Sequence, residues 1–299
     1  MLTRRQAIVA VALAVLCVAP AHAQDRLKVI ASFSILGDFV SNVGGDRVEI
    51  ATLVGPNGNA HVYAPSPGDA KKVADAKLVF VNGMGFEGWL DRLVKASGTK
   101  APIAIATKGI KPHQRGTEHD HDLGRADPHA WQSVANAKIY VANIRDALIA
   151  ADPGGKDVYA ANATAYLGKL DALEREVRDV IAGIPAGRRR LITSHDAFGY
   201  FEAAYGVDFI APQGVSTEAE ASAKDVAAII TQIKKQKISA VFLENVTDPR
   251  LVRQIARETG AKIGGTLYSD ALTDDTGDAT TYIGLIRHNV KQLASAFAG

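Results

Sequence analysis

The sequence predicts an α/β fold of two lobes, each with a mostly parallel four-stranded sheet and flanking helices, joined by one long helix. Short runs rich in β-branched residues alternate with amphipathic stretches over residues 27–106 and again over residues 190–297. One long helical stretch separates these two regions. Because alternating strands and helices are typical of a parallel sheet with crossover helices, each region indicates one lobe. Two lobes around a connecting helix leave a cleft, where small ligands usually bind.

The first region contains four predicted strands, each followed by a helical stretch. The predicted strands cover residues 27–31, 49–54, 77–81 and 102–106. The predicted helices cover residues 35–43, 67–76, 86–97 and, after a polar loop at 108–128, 133–150.

The long helix is predicted over residues 156–184, between Asp152-Pro153 and Pro185. Its length would be about 40 Å at about 1.5 Å per residue, more than a helix covering a sheet requires. We therefore interpret it as a connection between lobes, with an ordinary packing helix as the alternative. The predicted divisions are a signal peptide at 1–23, a first lobe at 24–151, the linker helix at 152–185 and a second lobe at 186–299.

The second region repeats the pattern of the first. Its predicted strands cover residues 190–193, 207–210, 239–243 and 262–268. Its predicted helices cover residues 197–205, 224–236, 249–258 and 280–297.

The first 23 residues are typical of an export signal, with Arg4 and Arg5, an apolar run at 7–18 and Ala21-His22-Ala23 as a small-residue cleavage site. The arginine pair leaves the general and the twin-arginine export routes open. Cleavage after Ala23 removes two positive charges, so the formal charge falls from +2 to 0. That balance argues against a nucleic-acid surface or a polybasic membrane anchor.

The single cysteine, Cys17, lies inside this leader, and the residues before it do not resemble a lipoprotein processing site. The mature chain would then lack thiols, which excludes disulfides, thiolate metal sites and cysteine nucleophiles. No later apolar run reaches the roughly 18 residues of a spanning helix. We therefore expect a soluble protein in the periplasm.

Four side chains with metal-binding chemistry occupy equivalent places in the predicted pattern: His61, His129, His195 and Asp270 lie in or next to strand-to-helix junctions. Ligands of parallel sheets gather beyond the carboxyl ends of strands, and each lobe supplies two of the four residues. Three imidazoles and one carboxylate suit a divalent first-row metal ion, with zinc favoured by the nitrogen donors. Their spacing matches no local metal motif, so spacing alone is weak evidence.

The sequence segments around these four residues resemble those of the metal-binding solute-binding proteins of ABC importers, in the branch that binds zinc and manganese. The resemblance runs over nearly the whole mature chain and is carried by residues 61–69, 127–129, 194–201 with 205–206, and 267–272 with 281–282. It implies that His61, His129, His195 and Asp270 hold a metal ion between the lobes. In that family, a histidine as the third of the four metal ligands is typical of zinc-binding members, and a carboxylate there is typical of manganese-binding members. This chain has His195 at that position. Many relatives have an acidic residue and a proline before the first histidine, whereas this chain has Asn59-Ala60.

These observations predict a monomeric, non-enzymatic periplasmic receptor that binds Zn²⁺ and delivers it to an ABC permease in the inner membrane. A periplasmic metallochaperone is a further candidate partner, and no nucleic acid is expected. One alternative is a manganese receptor of the same fold. Another is a zinc-dependent hydrolase, which is disfavoured because Asp270 would close the metal site and no His-Glu-x-x-His motif is present.

Two further groups of residues are left open by the sequence. The loop at 113–122 could capture metal through His113, His119 and His121, or could be an ordinary solvated loop. Asp127 and Asp196 could each hold a neighbouring imidazole in the required tautomer. For both aspartates the sequence context favours an N-cap or turn role instead.

Overall fold

The computed structural model describes residues 26–113, 126–238 and 240–298. Its strands form two sheets, and the neighbouring strands within each sheet run parallel. The first sheet contains β1 (Leu27–Phe33), β2 (Val48–Val54), β3 (Leu78–Val81) and β4 (Ile103–Ile105), in the order β2-β1-β3-β4. The second contains β5 (Arg190–Ile192), β6 (Asp208–Ile210), β7 (Ala240–Glu244) and β8 (Lys262–Leu267), in the order β6-β5-β7-β8. The two sheets thus share one topology.

The α-helices flank these sheets in the predicted order, which confirms the predicted fold class. The first lobe and the connection contain α1 (Ser34–Gly44), α2 (Pro67–Asp75), α3 (Leu90–Ser97), α4 (Val134–Ala151) and α5 (Lys156–Ala182). The second lobe contains α6 (Gly199–Tyr205), α7 (Ala223–Gln236), α8 (Pro249–Thr259) and α9 (Tyr282–Ala298).

The start of α3 differs from the prediction, which placed it at residue 86. The chain turns first through Gly83, Met84 and Gly85, all with positive φ. The carboxylate of Glu87 then accepts the backbone N–H groups of Asn82 and Gly83, at 2.6 and 3.2 Å. The helix begins only at Leu90 because this turn, stabilised by a buried side chain, occupies the preceding residues.

The long helix α5 has 27 residues and packs against α1, α4 and α9. Its buried residues recur every three or four positions along one face, as an amphipathic helix requires. They are Tyr159, Ala163, Tyr166, Leu170, Leu173, Val177 and Ile181. The helix therefore contacts elements of both lobes, as predicted for a connection.

The main hydrophobic core includes residues of both lobes and of the long helix. A smaller, separate cluster lies in the second lobe between its sheet and the helices α7 and α8. Its buried members are Ile192, Ile229, Ile233, Ile238, Val241, Val252, Ile255 and Ala256. Within the described parts of the chain, none of the helices combines the length and the apolar character needed to span a bilayer.

Candidate metal centre

The four predicted donors converge at one point between the lobes. Nε2 of His61 lies 3.2 Å from Nε2 of His129 and 3.3 Å from Oδ2 of Asp270. Nε2 of His195 lies 3.2 Å from the same Asp270 oxygen, and Nε2 of His129 lies 3.5 Å from Oδ1. One donor atom from each residue lies within 4.8 Å of the other three. The structure therefore brings together the four residues that the sequence singled out.

Topology explains this convergence. His61 lies in the loop after β2, and His195 and Asp270 follow β5 and β8. His129 lies ahead of α4, in the connection that leaves β4. Because the strands of each sheet are parallel, their carboxyl ends lie at one edge, and the two edges face each other across the cleft.

The donors are shielded from solvent. His61 is 5% exposed, whereas His129, His195 and Asp270 are fully buried. Among the described residues, both ring nitrogens of His195, Oε2 of Glu244 and both carboxylate oxygens of Asp270 have no hydrogen bond in suitable geometry. Nδ1 of His195 and Oε2 of Glu244 face each other at 2.5 Å. Buried polar atoms are normally paired, so the remaining atoms, Nε2 of His195 and the Asp270 oxygens, fit an arrangement completed by a cation.

Four of the distances between donor atoms are close to those of tetrahedral coordination. Zinc binds imidazole nitrogen and carboxylate oxygen at about 2.0–2.2 Å, and the edge of a tetrahedron is about 1.63 times the bond length, or about 3.3–3.6 Å. The separations of 3.2, 3.2, 3.3 and 3.5 Å lie close to that range, and they involve both oxygens of Asp270. The four side chains are therefore close enough together to share one small dication.

Asp127 contacts the far side of the His129 imidazole. Its Oδ1 accepts the backbone N–H of His129 at 2.9 Å and lies 2.8 Å from Nδ1 of the ring. The first contact is the turn role that the sequence favoured, and the second is the orienting role that it disfavoured. The favoured turn role is thus present, and the structure adds the orienting contact, because one oxygen of Asp127 serves both.

The carboxylate next to Nδ1 of His195 belongs to Glu244 rather than to the neighbouring Asp196. Oε2 of Glu244 lies 2.5 Å from Nδ1, and Oε1 accepts the backbone N–H groups of Ser194 and His195 at 2.7 and 2.9 Å. Sequence reasoning missed Glu244. A signal was present, because Glu244 is the charged last residue of the otherwise apolar strand Ala240–Glu244.

Burial and charge act in opposite directions on the ionisable groups of the site. Burial disfavours the imidazolium of His195, but the carboxylates of Glu244 and Asp270 outweigh burial and raise the pKa of His195 well above its ordinary value. Burial also disfavours the carboxylate of Asp270, yet His195 and His129 hold the pKa of Asp270 well below its ordinary value. Burial lowers the pKa of His61, against the opposing effect of Asp270. Without a metal ion, the neighbouring carboxylates thus favour the protonated form of His195, so metal binding competes with a proton there.

Aromatic rings line the first-lobe side of the site. The ring of Phe86 lies 4.8 Å from that of His61, and the ring of Trp131 lies 5.3 Å from that of His129. Phe86 and Trp131 are buried and contact each other edge to face, 5.0 Å apart. These rings exclude water from one side of the donors, which strengthens electrostatic interactions there.

Hydrogen bonds across the cleft hold the loop that carries Asp270. Trp131 Nε1 and Gln132 Nε2 both donate to the carbonyl of Ser269, at 2.9 and 2.8 Å. On the other side of Asp270, the N–H of Leu272 donates to Oγ of Ser34 at 2.9 Å. The carboxylate from the second lobe is therefore fixed by contacts with the first lobe on both sides.

The predicted capture loop is only partly described. The backbone N–H of His113 donates to the hydroxyl of Tyr200 at 2.9 Å, and the two rings lie 5.6 Å apart. His113 does not belong to the four-residue donor group. His119 and His121 lie outside the described residues.

Comparisons with known proteins cover both lobes and the long helix. The model of the family described as "Zinc-uptake complex component A periplasmic" matches residues 29–296. The "Iron-binding protein YfeA" of Yersinia pestis is 35% identical over 278 residues, 93% of this chain and 88% of that protein. The "Manganese-binding lipoprotein MntA" of Halalkalibacterium halodurans is 34% identical over 275 residues, 92% of this chain and 89% of that protein.

A solved structure gives the same result for the fold. The periplasmic zinc-binding protein TroA from Treponema pallidum matches with a TM-score of 0.85 and 30% sequence identity. The match covers 91% of this chain and 99% of that chain.

Proposed function

Because this chain belongs to the family of periplasmic component A proteins of zinc-uptake complexes, we propose that it is the metal receptor of an ABC importer. It binds Zn²⁺ between its lobes, outside the cytoplasm, and delivers the ion to a permease in the inner membrane. His61, His129, His195 and Asp270 supply the four donors. The ion is cargo rather than a resident cofactor.

The observation that carries this proposal is the convergence of three Nε2 atoms on one buried carboxylate. Nitrogen donors favour zinc over manganese or calcium, and four buried protein side chains around one point are compatible with a closed zinc site. A closed site retains an ion, whereas a zinc hydrolase needs an open position for water. The donor set therefore supports a receptor over the hydrolase alternative.

A manganese receptor is the second candidate, and the name of the relative MntA favours it. MntA, at 34% identity, is described as manganese-binding, whereas YfeA, at 35%, is described as iron-binding and favours neither zinc nor manganese. The donors support zinc instead, because manganese prefers carboxylate, carbonyl and water oxygens, and only Asp270 of the four supplies oxygen.

Direct competition between the two ions tests this choice. Metal-free protein is dialysed against equal concentrations of Zn²⁺ and Mn²⁺, and the bound metal is measured by elemental analysis. We expect zinc in nearly every molecule and almost no manganese. Retention of manganese under these conditions would support the second candidate, and retention of neither ion would contradict the receptor proposal.

Export and anchoring form a separate part of the proposal. We expect cleavage after Ala23, which releases the chain into the periplasm without a lipid on Cys17. The relative MntA is described as a lipoprotein, which supports the opposite arrangement. The intact mass of the protein purified from the cell envelope distinguishes cleavage after Ala23 from a lipid-modified Cys17.

The remaining parts of the proposal concern organisation and partners. The mature chain acts as a monomer with lobes at 24–151 and 186–299 and a linker at 152–185. The loop histidines His113, His119 and His121 capture metal for the cleft, and a periplasmic metallochaperone is a further candidate source. Light scattering of the zinc-loaded protein measures the oligomeric state. Zinc uptake kinetics of a triple alanine variant of the loop histidines test the capture step.

A further inference from the structure

Glu244 has a more specific task than packing, and this inference rests on the proposed metal site. We propose that Glu244 is a positioning residue that fixes the tautomer of His195, so that Nε2 presents its lone pair to the metal ion. Its two oxygens have separate partners, and this division makes an amide an unsuitable replacement.

The contacts of Glu244 determine the position of the proton. An ionised carboxylate accepts hydrogen bonds and cannot donate them. Oε2 lies 2.5 Å from Nδ1 of His195, and although the angles of this contact fall outside regular hydrogen-bond geometry, so short an approach of a carboxylate to the ring requires a proton on Nδ1. The other ring nitrogen, Nε2, then carries the lone pair, and it lies 3.2 Å from Asp270 on the side where the donors meet.

Strand pairing places Glu244 where it can do this. Ile192 of β5 is paired in register with Val241 of β7. His195 follows Ile192, the last residue of β5, by three residues, and Glu244, the last residue of β7, follows Val241 by three, so the two residues leave the paired strands on the same side of the sheet edge. The carboxylate is buried, and Oε1 accepts the N–H groups of Ser194 and His195, which prevents rotation of the side chain.

Asp127 offers a matched comparison at the other oriented histidine. A single oxygen, Oδ1, accepts the backbone N–H of His129 and contacts its Nδ1. The second oxygen, Oδ2, has no hydrogen-bond partner among the described residues. Asparagine can keep its carbonyl oxygen at the Oδ1 position, so Asp127→Asn preserves the tautomer of His129.

Glutamine cannot do the same at position 244. If its carbonyl oxygen faces the two backbone N–H groups, its NH₂ group donates to Nδ1 of His195 and forces the ring proton onto Nε2. If the amide is reversed, its NH₂ group opposes two N–H donors. The first arrangement removes the lone pair from Nε2, and the second keeps it but loses the backbone contacts that hold the side chain beside His195.

Zinc affinity of three carboxylate-to-amide variants tests the inference, by chelator competition on the full mature chain. We expect a roughly 100-fold loss for Glu244→Gln and a loss of no more than about tenfold for Asp127→Asn. Glu202→Gln is the control in the same lobe, because Glu202 accepts a backbone N–H from Phe209 away from the donors. Its zinc affinity should equal that of the wild type. Equal losses for Glu244→Gln and Asp127→Asn would overturn the inference.

A spectroscopic measurement separates positioning from a merely structural role. In ¹⁵N-histidine spectra of the zinc-loaded wild type, His195 should carry a proton on Nδ1 and bind zinc through Nε2. Zinc on Nδ1, or a proton on Nε2, would overturn the inference even if Glu244→Gln failed to fold. If the wild type binds no zinc, the proposed function fails. The His195 tautomer of metal-free protein in alkaline solution then still decides the role of Glu244.

Discussion

In the first lobe, His129 receives its orienting carboxylate from the same loop, whereas in the second lobe His195 receives its carboxylate from a neighbouring strand. Asp127 precedes its histidine by two residues, but Glu244 lies 49 residues after His195. The first arrangement depends on a local turn and the second on sheet register. Equivalent imidazoles are therefore oriented by two different kinds of structure, a local turn and a pair of neighbouring strands.

The lobes also differ in the charge they bring to the site. Two of the three buried carboxylates around the imidazoles, Glu244 and Asp270, come from the second lobe, and Asp127 comes from the first. Of these three, Asp270 alone belongs to the donor group. The second lobe therefore supplies most of the negative charge that attracts a dication, and the first lobe supplies most of the nitrogen donors.

The largest expected effect on zinc affinity follows from removing the negative charge of Asp270, the carboxylate among the four donors. Asp270→Ala leaves three buried imidazoles without their carboxylate, and breaking a buried charged contact costs about 3–5 kcal/mol, or roughly 100-fold to 1,000-fold or more in affinity. Chelator competition measures zinc affinity. The exposed Asp274, four residues later in the same loop, gives a control, because Asp274→Ala should bind zinc normally. Equal affinities for the two variants would contradict the proposed donor set.

The next prediction concerns the small hydrophobic cluster of the second lobe. Ile255 is fully buried there, so Ile255→Ala should lower the free energy of unfolding by about 2–5 kcal/mol through lost burial and a cavity. Urea unfolding of metal-free protein measures this change. Zinc affinity should stay within about twofold, because the cluster contains none of the four donors.

The control for Ile255 is Ile263, a side chain that is 45% exposed on β8 of the same lobe. Ile263→Ala should change the free energy of unfolding by about 0.5 kcal/mol or less. If Ile255→Ala abolished zinc binding while the protein stayed folded, the hydrophobic cluster and the metal site would not be independent of each other.

The third prediction uses the opposite pKa shifts of one histidine in each lobe, His195 in the second and His61 in the first. The raised pKa of His195 means that metal must displace a proton, so zinc affinity should rise with pH until that pKa is passed. Below it, each unit of pH lost should reduce the affinity about tenfold. His61, whose pKa is lowered, should release no proton at neutral pH.

Calorimetry in buffers of different ionisation enthalpy measures the proton released on zinc binding. We expect about one proton per zinc ion at pH 7. A binding enthalpy independent of the buffer would show that His195 is already neutral, and the charge difference between the lobes would then be smaller than the structure indicates.

The smallest effect on zinc affinity is expected where two hydrogen-bond donors of the first lobe share one carbonyl acceptor of the second. Trp131→Phe removes one of the two hydrogen bonds to the carbonyl of Ser269 and leaves that of Gln132. Because the carbonyl stays paired, the loss should be about 1 kcal/mol, a severalfold decrease in zinc affinity. Isothermal titration measures it. A loss as large as that of Asp270→Ala would mean that Trp131 controls the position of the whole loop.

Much of the fold could be predicted from sequence because the periodic signals were local. Each strand of the two sheets lies within or close to its predicted range, and α5 spans Lys156–Ala182 against a prediction of 156–184. The start of α3 was wrong because Glu87 stabilises a turn through its side chain, and hydrophobic periodicity does not report such contacts.

The four donors could be predicted because they lie in strand-to-helix connections, where ligands of parallel sheets gather, and because the segments around them resemble a metal-binding family. The orienting contact of Asp127 was weighed and disfavoured, since its spacing from His129 suits a turn equally well. Glu244 was missed because its contact with His195 depends on the pairing of Ile192 with Val241, and register cannot be read from either strand alone. The choice between zinc and manganese depends on small differences in donor preference, which a list of residues does not measure.

The hydrogen bonds on either side of Asp270 have a mechanical consequence. Because Ser269 and Leu272 are both bound to the first lobe, a hinge motion that separates the lobes must break these bonds together. The same motion withdraws the Asp270 carboxylate and His195 from His61 and His129. Cargo would then be left on two imidazoles, so unloading is coupled to opening and needs no separate change in the donors themselves.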